Sequence, residues 1–268
     1  MNEIEYFKRE LMLRNYTAST VQTYTSCAKV FCYKIGFNPT LDQIKDYLLT
    51  IKNYSYHKQM VGTIHRYFEF VLKKKLFLND LPMPRREYSL PEILSVEEVQ
   101  LIFNQCSNLK HLSVLSLLYG CGLRMQELLN LKISDIDGSR KIINIRMGKG
   151  LKDRQIPMGE QLHDLLRKYF VIYRPKEYLF NGQFGNQYTS SSVNQLLKYY
   201  ANKAGIKKRI HAHKFRHCYA THLLESGTDM ALIQKLLGHK NIKTTQIYSH
   251  ISNALLSKIQ SPINNIKW

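Results

Sequence analysis

Between Leu81 and Pro91 the chain reads LPMPRREYSLP, a concentration of proline and basic side chains with no apolar repeat. Proline fixes its own φ, lacks a backbone donor and pushes the residue before it out of the helical region, so the segment is semi-extended. Neither a long helix nor a central strand can run through it. The 268 residues are therefore expected to form two bodies, a first over residues 1–80 and a second over 94–268, joined by a linker at 81–93.

Up to Lys75 the first body contains no glycine except Gly36 and Gly62 and no proline except Pro39. Four helices are predicted, from about Glu3 to Arg14, Ala18 to Ile35, Leu41 to Ile51 and Tyr54 to Leu76. Thr40 with Gln43 matches a capping box at the third start. Met60, Ile64, Tyr67, Phe68 and Val71 give the fourth an apolar face, and Lys73, Lys74 and Lys75 would complement the negative end of its dipole. The expected result is a small helical bundle whose surface offers Lys8, Arg9, His57, Lys58 and Arg66 as donors to phosphate.

The second body opens with a capping box at Ser95 and Glu98 ahead of Val99, Ile102 and Phe103. A helix at about His111 to Tyr119 follows, then a turn at Gly120 and Gly122. Leu128, Leu129 and Leu131 bury the next helix, whose first turn can present Arg124 and Glu127 on one face. Two short strands, Ile142 to Met147 and Arg154 to Pro157, flank the loop GKGLKD, which carries Lys149 at a hairpin tip. Helices return at Gln161 to Tyr173 and Ser191 to Ala204, with a polar loop at Gln183 to Thr189. The fold class is mainly α with a small β-sheet.

Lys207 to Ile251 reads as two helices and a third short one. Phe215, Tyr219, Leu223 and Leu224 repeat at helical spacing, Gly227-Thr228-Asp229 breaks the pattern, and Met230, Ile233, Leu236 and Leu237 resume it. Gly238 stands where a helix closes on a left-handed residue. His213, Arg216, His239 and Tyr248 occupy the ends and turns of this framework.

Lysine and arginine number 39 against 20 aspartates and glutamates, a formal charge of +19. Such an excess calls for a polyanion, and its spread along the chain favours nucleic acid over a membrane surface. No apolar run approaches the ~18 residues of a spanning helix, and the charged start MNEIEYFKRE is unlike a signal core, so a cytoplasmic protein is expected. Five cysteines without C-x-x-C spacing predict buried thiols rather than disulfides or zinc.

The polar outliers of the second body are Arg124, Lys149, His213, Arg216, His239 and Tyr248. Two arginines can brace the oxygens of a phosphodiester, a lysine can protonate an alkoxide, and a histidine can take the proton of a tyrosine hydroxyl that then attacks phosphorus. No carboxylate or cysteine recurs at ligand spacing around the histidines, so no metal is expected.

The order G-x-G-L-R with R-x-x-E, a G-K-G hairpin, H-x-x-R-H, L-L-G-H and a tyrosine nine residues later resembles the tyrosine recombinase (phage integrase) family, in the layout of its Xer-like and simple integrase members. The resemblance spans nearly the whole chain, departing mildly at Phe215, where leucine is commoner. It implies an N-terminal helical core-binding (SAM-like) bundle and a C-terminal mixed α/β catalytic domain. It also implies metal-free and cofactor-free transfer of double-stranded DNA through a 3′-phosphotyrosyl bond to Tyr248. Arg124 and Arg216 would hold the phosphate, His213 act as base, Lys149 as acid, His239 as a phosphate hydrogen-bond partner, and Glu127 would orient the group. The partners implied are a specific recombination site and a homotetramer or heterotetramer on DNA, in which the tail with Leu255, Leu256 and Ile259 docks on a neighbour. The rival readings are a helix-turn-helix regulator that only binds DNA, a type IB topoisomerase, and a metal-dependent nuclease, the last lacking a carboxylate cluster.

Overall fold

The structure is a computed structural model that describes residues 2–76, 80–81, 83–84, 92–146, 153–182, 187–239 and 245. The chain divides into two compact units, Met1–Tyr88 and Ser89–Trp268.

The first unit contains α1 (Glu3–Leu13), α2 (Ala18–Ile35), α3 (Leu41–Leu49) and α4 (Tyr54–Phe70). Each start is capped by a short polar side chain: Asn2, Thr17, Thr40 and Asn53 accept from backbone N–H groups that the helix itself cannot satisfy. At Thr40 the capping box is complete, because Gln43 Oε1 also accepts from Thr40 N at 2.8 Å. Phe7, Leu11, Phe31, Ile44, Ile64 and Tyr67 close the core.

The fourth helix is shorter than its periodicity predicts. It ends at Phe70, and the lysine run does not extend it: Lys73 takes a left-handed φ of 55° while Lys74 N donates back to Phe68 O at 3.0 Å. The chain reverses there because those bonds satisfy the last carbonyls in a Schellman-like closure. The third helix likewise stops at Leu49, two residues early.

In the second unit α5 (Val96–Asn104) starts at the expected box: Ser95 Oγ accepts from Glu98 N at 3.2 Å and Glu98 Oε2 from Ser95 N at 2.8 Å. Ser95→Ala is expected to lower stability by ~1 kcal/mol, a fall of roughly 2–4 °C in the melting temperature. An unchanged melt would show that water replaces the hydroxyl at no cost.

Next come α6 (Leu109–Gly120), α7 (Met125–Leu129) and a 3-10 turn at Ile133–Asp135. A three-stranded antiparallel sheet follows, in the order β1 (Ile136–Asp137), β2 (Ile142–Ile145), β3 (Arg154–Pro157). Ile143 pairs with Ile156 and Ile145 with Arg154. The first strand was not signalled by the sequence, since two residues carry no periodicity. Then come α8 (Glu160–Tyr173), α9 (Ser190–Lys203), α10 (Ala212–Glu225) and α11 (Met230–Leu237). The core lies among Val114, Leu118, Leu128, Ile156, Leu197 and Phe215. Phe215 is fully buried, its ring edge-on to Tyr119, so this departure from the family pattern is a packing residue.

All five cysteines are free and buried, as their spacing predicts. Among the described residues no helix is long and apolar enough to cross a membrane.

Candidate active site

The site is organised by the end of α11. Asp229 caps that helix's start, accepting from Ala231 N at 2.8 Å and Leu232 N at 3.2 Å, and Gly238 closes it in the left-handed region with φ 62°. A helix leaves its last carbonyls without internal partners and carries partial negative charge there. Here three successive carbonyls are met by three arginines from three different elements. Leu236 O accepts from Arg154 Nε at 2.6 Å, Leu237 O from Arg216 Nη2, and Gly238 O from Arg124 Nη2 at 3.2 Å.

One carboxylate ties these guanidinium groups together. Glu127 accepts from Arg154 Nη1 at 2.9 Å and Nη2 at 2.8 Å, from Arg124 Nη1 at 2.7 Å and from Arg124 N at 2.8 Å, with Arg216 Nη1 4.0 Å away. Burial alone would raise the Glu127 carboxyl, but the hydrogen bonds and charge of Arg154, then of Arg124, outweigh it and hold the group at about 2. Among the described residues three fixed positive charges thus face the one carboxylate of Glu127, an arrangement that favours a further anion.

Arg216 is fully buried on α10. Its Nη1 donates to Gly122 O at 2.6 Å, which binds the turn before α7 to α10. Gly122 is indispensable there: φ is 57°, and a Cβ would fall 2.4 Å from the Tyr219 ring. Arg124 is the residue preceding α7, and its side chain is 37% exposed, so part of its guanidinium remains open to a ligand.

His239 lies against Arg216, Nε2 to Nη2 at 3.2 Å, with Nδ1 2.9 Å from the hydroxyl of buried Thr245. A guanidinium can only donate, so Nε2 accepts and Nδ1 carries the proton toward Thr245 Oγ1. Burial, then the charge of Arg216 and Arg124, pushes His239 down to about 4, so the ring is neutral at pH 7.

His213 sits in the first turn of α10 with its ring edge-on to His217, centroids 4.3 Å apart. His213 is exposed, and the desolvation imposed by its neighbours together with the Arg216 charge lowers it as well, favouring a neutral imidazole able to take up a proton. His211 is engaged differently, as the cap of α10, its Nδ1 accepting from Lys214 N at 3.2 Å.

Four of the six sequence-predicted residues, Arg124, His213, Arg216 and His239, are thus brought to the facing ends of α7, α10 and α11. Lys149 and Tyr248 lie outside the described residues, as do the hairpin tip, the third short helix apart from Thr245, and the tail. Sequence reasoning missed Arg154 and Thr245. Arg154 was within reach, because along β3 it is buried in phase with Ile156 while Gln155 and Pro157 are exposed; a basic residue on the inward face of a strand needs a buried partner. Thr245 carried no comparable signal. Among the described residues no group of three or more histidine, cysteine or carboxylate side chains is placed to hold a metal ion.

Residues 92–254 match the model of the phage integrase family, a span that contains the whole of this arrangement. This chain belongs to the phage integrase family. It is a site-specific tyrosine recombinase. The relationship extends beyond the matched span: the recombinase is 33% identical over 258 residues to tyrosine recombinase XerA of Pyrococcus horikoshii, covering 93% of this chain and 89% of that one. To tyrosine recombinase XerD of Oceanobacillus iheyensis it is 34% identical over 212 residues, 73% of this chain and 71% of that protein. The crystal structure of XerA recombinase matches at 26% identity with a TM-score of 0.60, covering 97% of this recombinase and all of that chain. A lambda integrase dimer bound to a core site shares the fold at 19% identity, with a TM-score of 0.76 over 92% of this chain and 93% of that one.

Proposed function

We propose that this recombinase cuts and rejoins double-stranded DNA at a specific site, with Tyr248 as the nucleophile. The phenol attacks the scissile phosphorus and gives its proton to His213. Arg124 and Arg216 hold the non-bridging oxygens, and Lys149 protonates the departing 5′ oxygen. The products are a 3′-phosphotyrosyl strand and a free 5′-hydroxyl. A hydroxyl from another strand reverses the step, and because the phosphoester is exchanged rather than hydrolysed, no ATP, metal or other cofactor takes part.

The observation that carries this reading is the triple-arginine end of α11, where among the described residues the Glu127 carboxylate is outnumbered and a phosphate would add balancing charge. His239 has a defined part in it. For His239 to donate to a phosphate oxygen, its proton has to move to Nε2, and the Thr245 hydroxyl permits this because it can rotate from acceptor to donor toward Nδ1. The relatives and structural neighbours that share this family act as recombinases, and several neighbours were solved with DNA, which with the +19 charge supports a DNA partner.

In this reading residues 1–80 are the core-binding domain, 81–93 the linker and 94–268 the catalytic domain, and four copies assemble on two sites in the cytoplasm. The test uses a duplex selected by the chain from a randomised pool and nicked so that cleavage releases a short strand. Incubated in EDTA, the unaltered protein is expected to leave a covalent adduct on a denaturing gel, and Tyr248→Phe none. Tight binding of the selected duplex without any adduct would favour a regulator that only binds DNA.

A further inference from the structure

We propose that Arg154 is a positioning residue for strand cleavage, which fixes where Arg124 and Arg216 present their guanidinium groups by occupying Glu127 and the Leu236 carbonyl. The inference rests on the reading of the site given above, and it concerns a residue that makes no contact with substrate. The Arg154 side chain is 4% exposed. Each of its three nitrogens already donates to the protein, Nε to Leu236 O and the two Nη atoms to the two oxygens of Glu127. Three of its five N–H groups are thus committed to α7 and α11, on the inward face of β3.

The consequence follows from competition for one carboxylate. Glu127 Oε2, which Arg154 Nη2 holds at 2.8 Å, stands 4.0 Å from Arg216 Nη1. Glu127 Oε1 is shared between Arg154 Nη1 at 2.9 Å and Arg124 Nη1 at 2.7 Å. With Arg154 in place the carboxylate is saturated from one side, and Arg124 and Arg216 keep the bonds that aim them along the end of α11. With Arg154 removed, both Glu127 oxygens become available, and the other two guanidinium groups are drawn onto them and away from a phosphate. At the same time Leu236 O loses its donor, which loosens the α11 terminus that carries Gly238 and leads to His239.

β3 supplies the lever. Arg154 pairs with Ile145 in the ladder and shares its face with Ile156, so its backbone is held by the sheet while its side chain reaches α7 and α11. A lysine at this position keeps one charge but cannot reach the carboxylate and the carbonyl together, since it lacks the fork.

The test compares Arg154→Lys, Arg154→Met, Glu127→Gln and the double variant Arg154→Met/Glu127→Gln in the full chain. Single-turnover adduct formation on the nicked duplex described above, affinity for that duplex and melting temperature are each measured. A displacement of ~1 Å in a reacting constellation costs about 100-fold in rate. Arg154→Met is therefore expected to slow adduct formation by about 100-fold while DNA affinity stays within about 3-fold, with Arg154→Lys intermediate. Because the route runs through Glu127, the double variant is expected to be no slower than Arg154→Met alone. Its melting temperature is expected to stay below that of the unaltered chain, because buried Arg216 then has no carboxylate beside it.

A normal rate in either folded Arg154 variant overturns the proposal. So does a double variant whose rate loss is the product of the two single losses, or a rate that falls only in step with affinity and folded fraction. Should Arg154→Met fail to fold, Arg154→Lys and the double variant carry the same comparison. If the unaltered chain yields no Tyr248-dependent adduct, it is the reading of the site that has failed, and the proposal falls with it.

Discussion

Gly122→Ala is expected to destabilise the second unit by about 3 kcal/mol or more and to depress cleavage beyond that loss. Two costs add. The backbone at Gly122 is left-handed, φ 57°, which costs a residue with a Cβ roughly 1–2 kcal/mol. The new methyl would also sit 2.4 Å from Tyr219 Cδ1 and 3.0 Å from Cε1, atoms of a ring that is itself buried. Neither side can yield without disturbing packed neighbours, an overpacking cost of ~1–3 kcal/mol. For a unit of this size the sum corresponds to a fall of roughly 6–12 °C in melting temperature.

The same peptide carries the carbonyl that holds Arg216, so a shift of a few tenths of an ångström is passed directly to a guanidinium of the site. Gly120→Ala, two residues away, is the internal control. That residue ends a helix, its nearest neighbour for a Cβ is Leu162 at 3.9 Å, and the change is expected to be neutral or slightly stabilising. Equal melting temperatures for the two variants would show that the turn before α7 relaxes at no cost.

Glu127→Gln is expected to have a comparable effect that depends on pH in a defined direction. Glu127 is held at about 2 in the folded chain, against an ordinary 4.5. A depressed carboxyl contributes stability that is fully present above its unfolded value and is lost as pH falls through its folded one. At ~1.4 kcal/mol per pH unit the interval is worth on the order of 3 kcal/mol. The glutamine variant keeps the shape and loses that contribution, leaving three guanidinium groups with no counter-charge among them. Denaturant unfolding at pH 7 is therefore expected to separate the two proteins by on the order of 3 kcal/mol. The gap should hold down to about pH 4.5 and narrow steadily toward pH 2. A gap that stays constant from pH 7 to pH 3 would mean that the charge of Glu127 is not what stabilises the site.

Both variants act at positions whose importance has different visibility in the chain. Gly122 stands beside Arg124 in a turn signal, and a glycine there is readable, but the ring it must accommodate is 97 positions further on, at Tyr219. Glu127 is readable as the partner of Arg124 through their spacing of three on one helix. Its bidentate bond to Arg154 is not, because the two residues meet only when the sheet folds back on α7. The lysine run after α4 shows the opposite error. A local preference for basic residues at a helix end suggested continuation, and the backbone had already turned at Lys73.

The sequence by itself determined where helices begin, since caps such as Thr40 with Gln43 and Ser95 with Glu98 are contacts between residues three apart. It also held the proline-rich stretch in which the two compact units, Met1–Tyr88 and Ser89–Trp268, divide, and the order of chemically capable residues from Arg124 to Tyr248. Only the tertiary structure decided that three arginines share one helix terminus, that His211 is a cap while His213 faces the site, and that Arg216 sets the tautomer of His239. Those facts depend on which long-range surfaces pack together, and buried hydrogen bonds across tens of residues leave no period for a linear reading to detect.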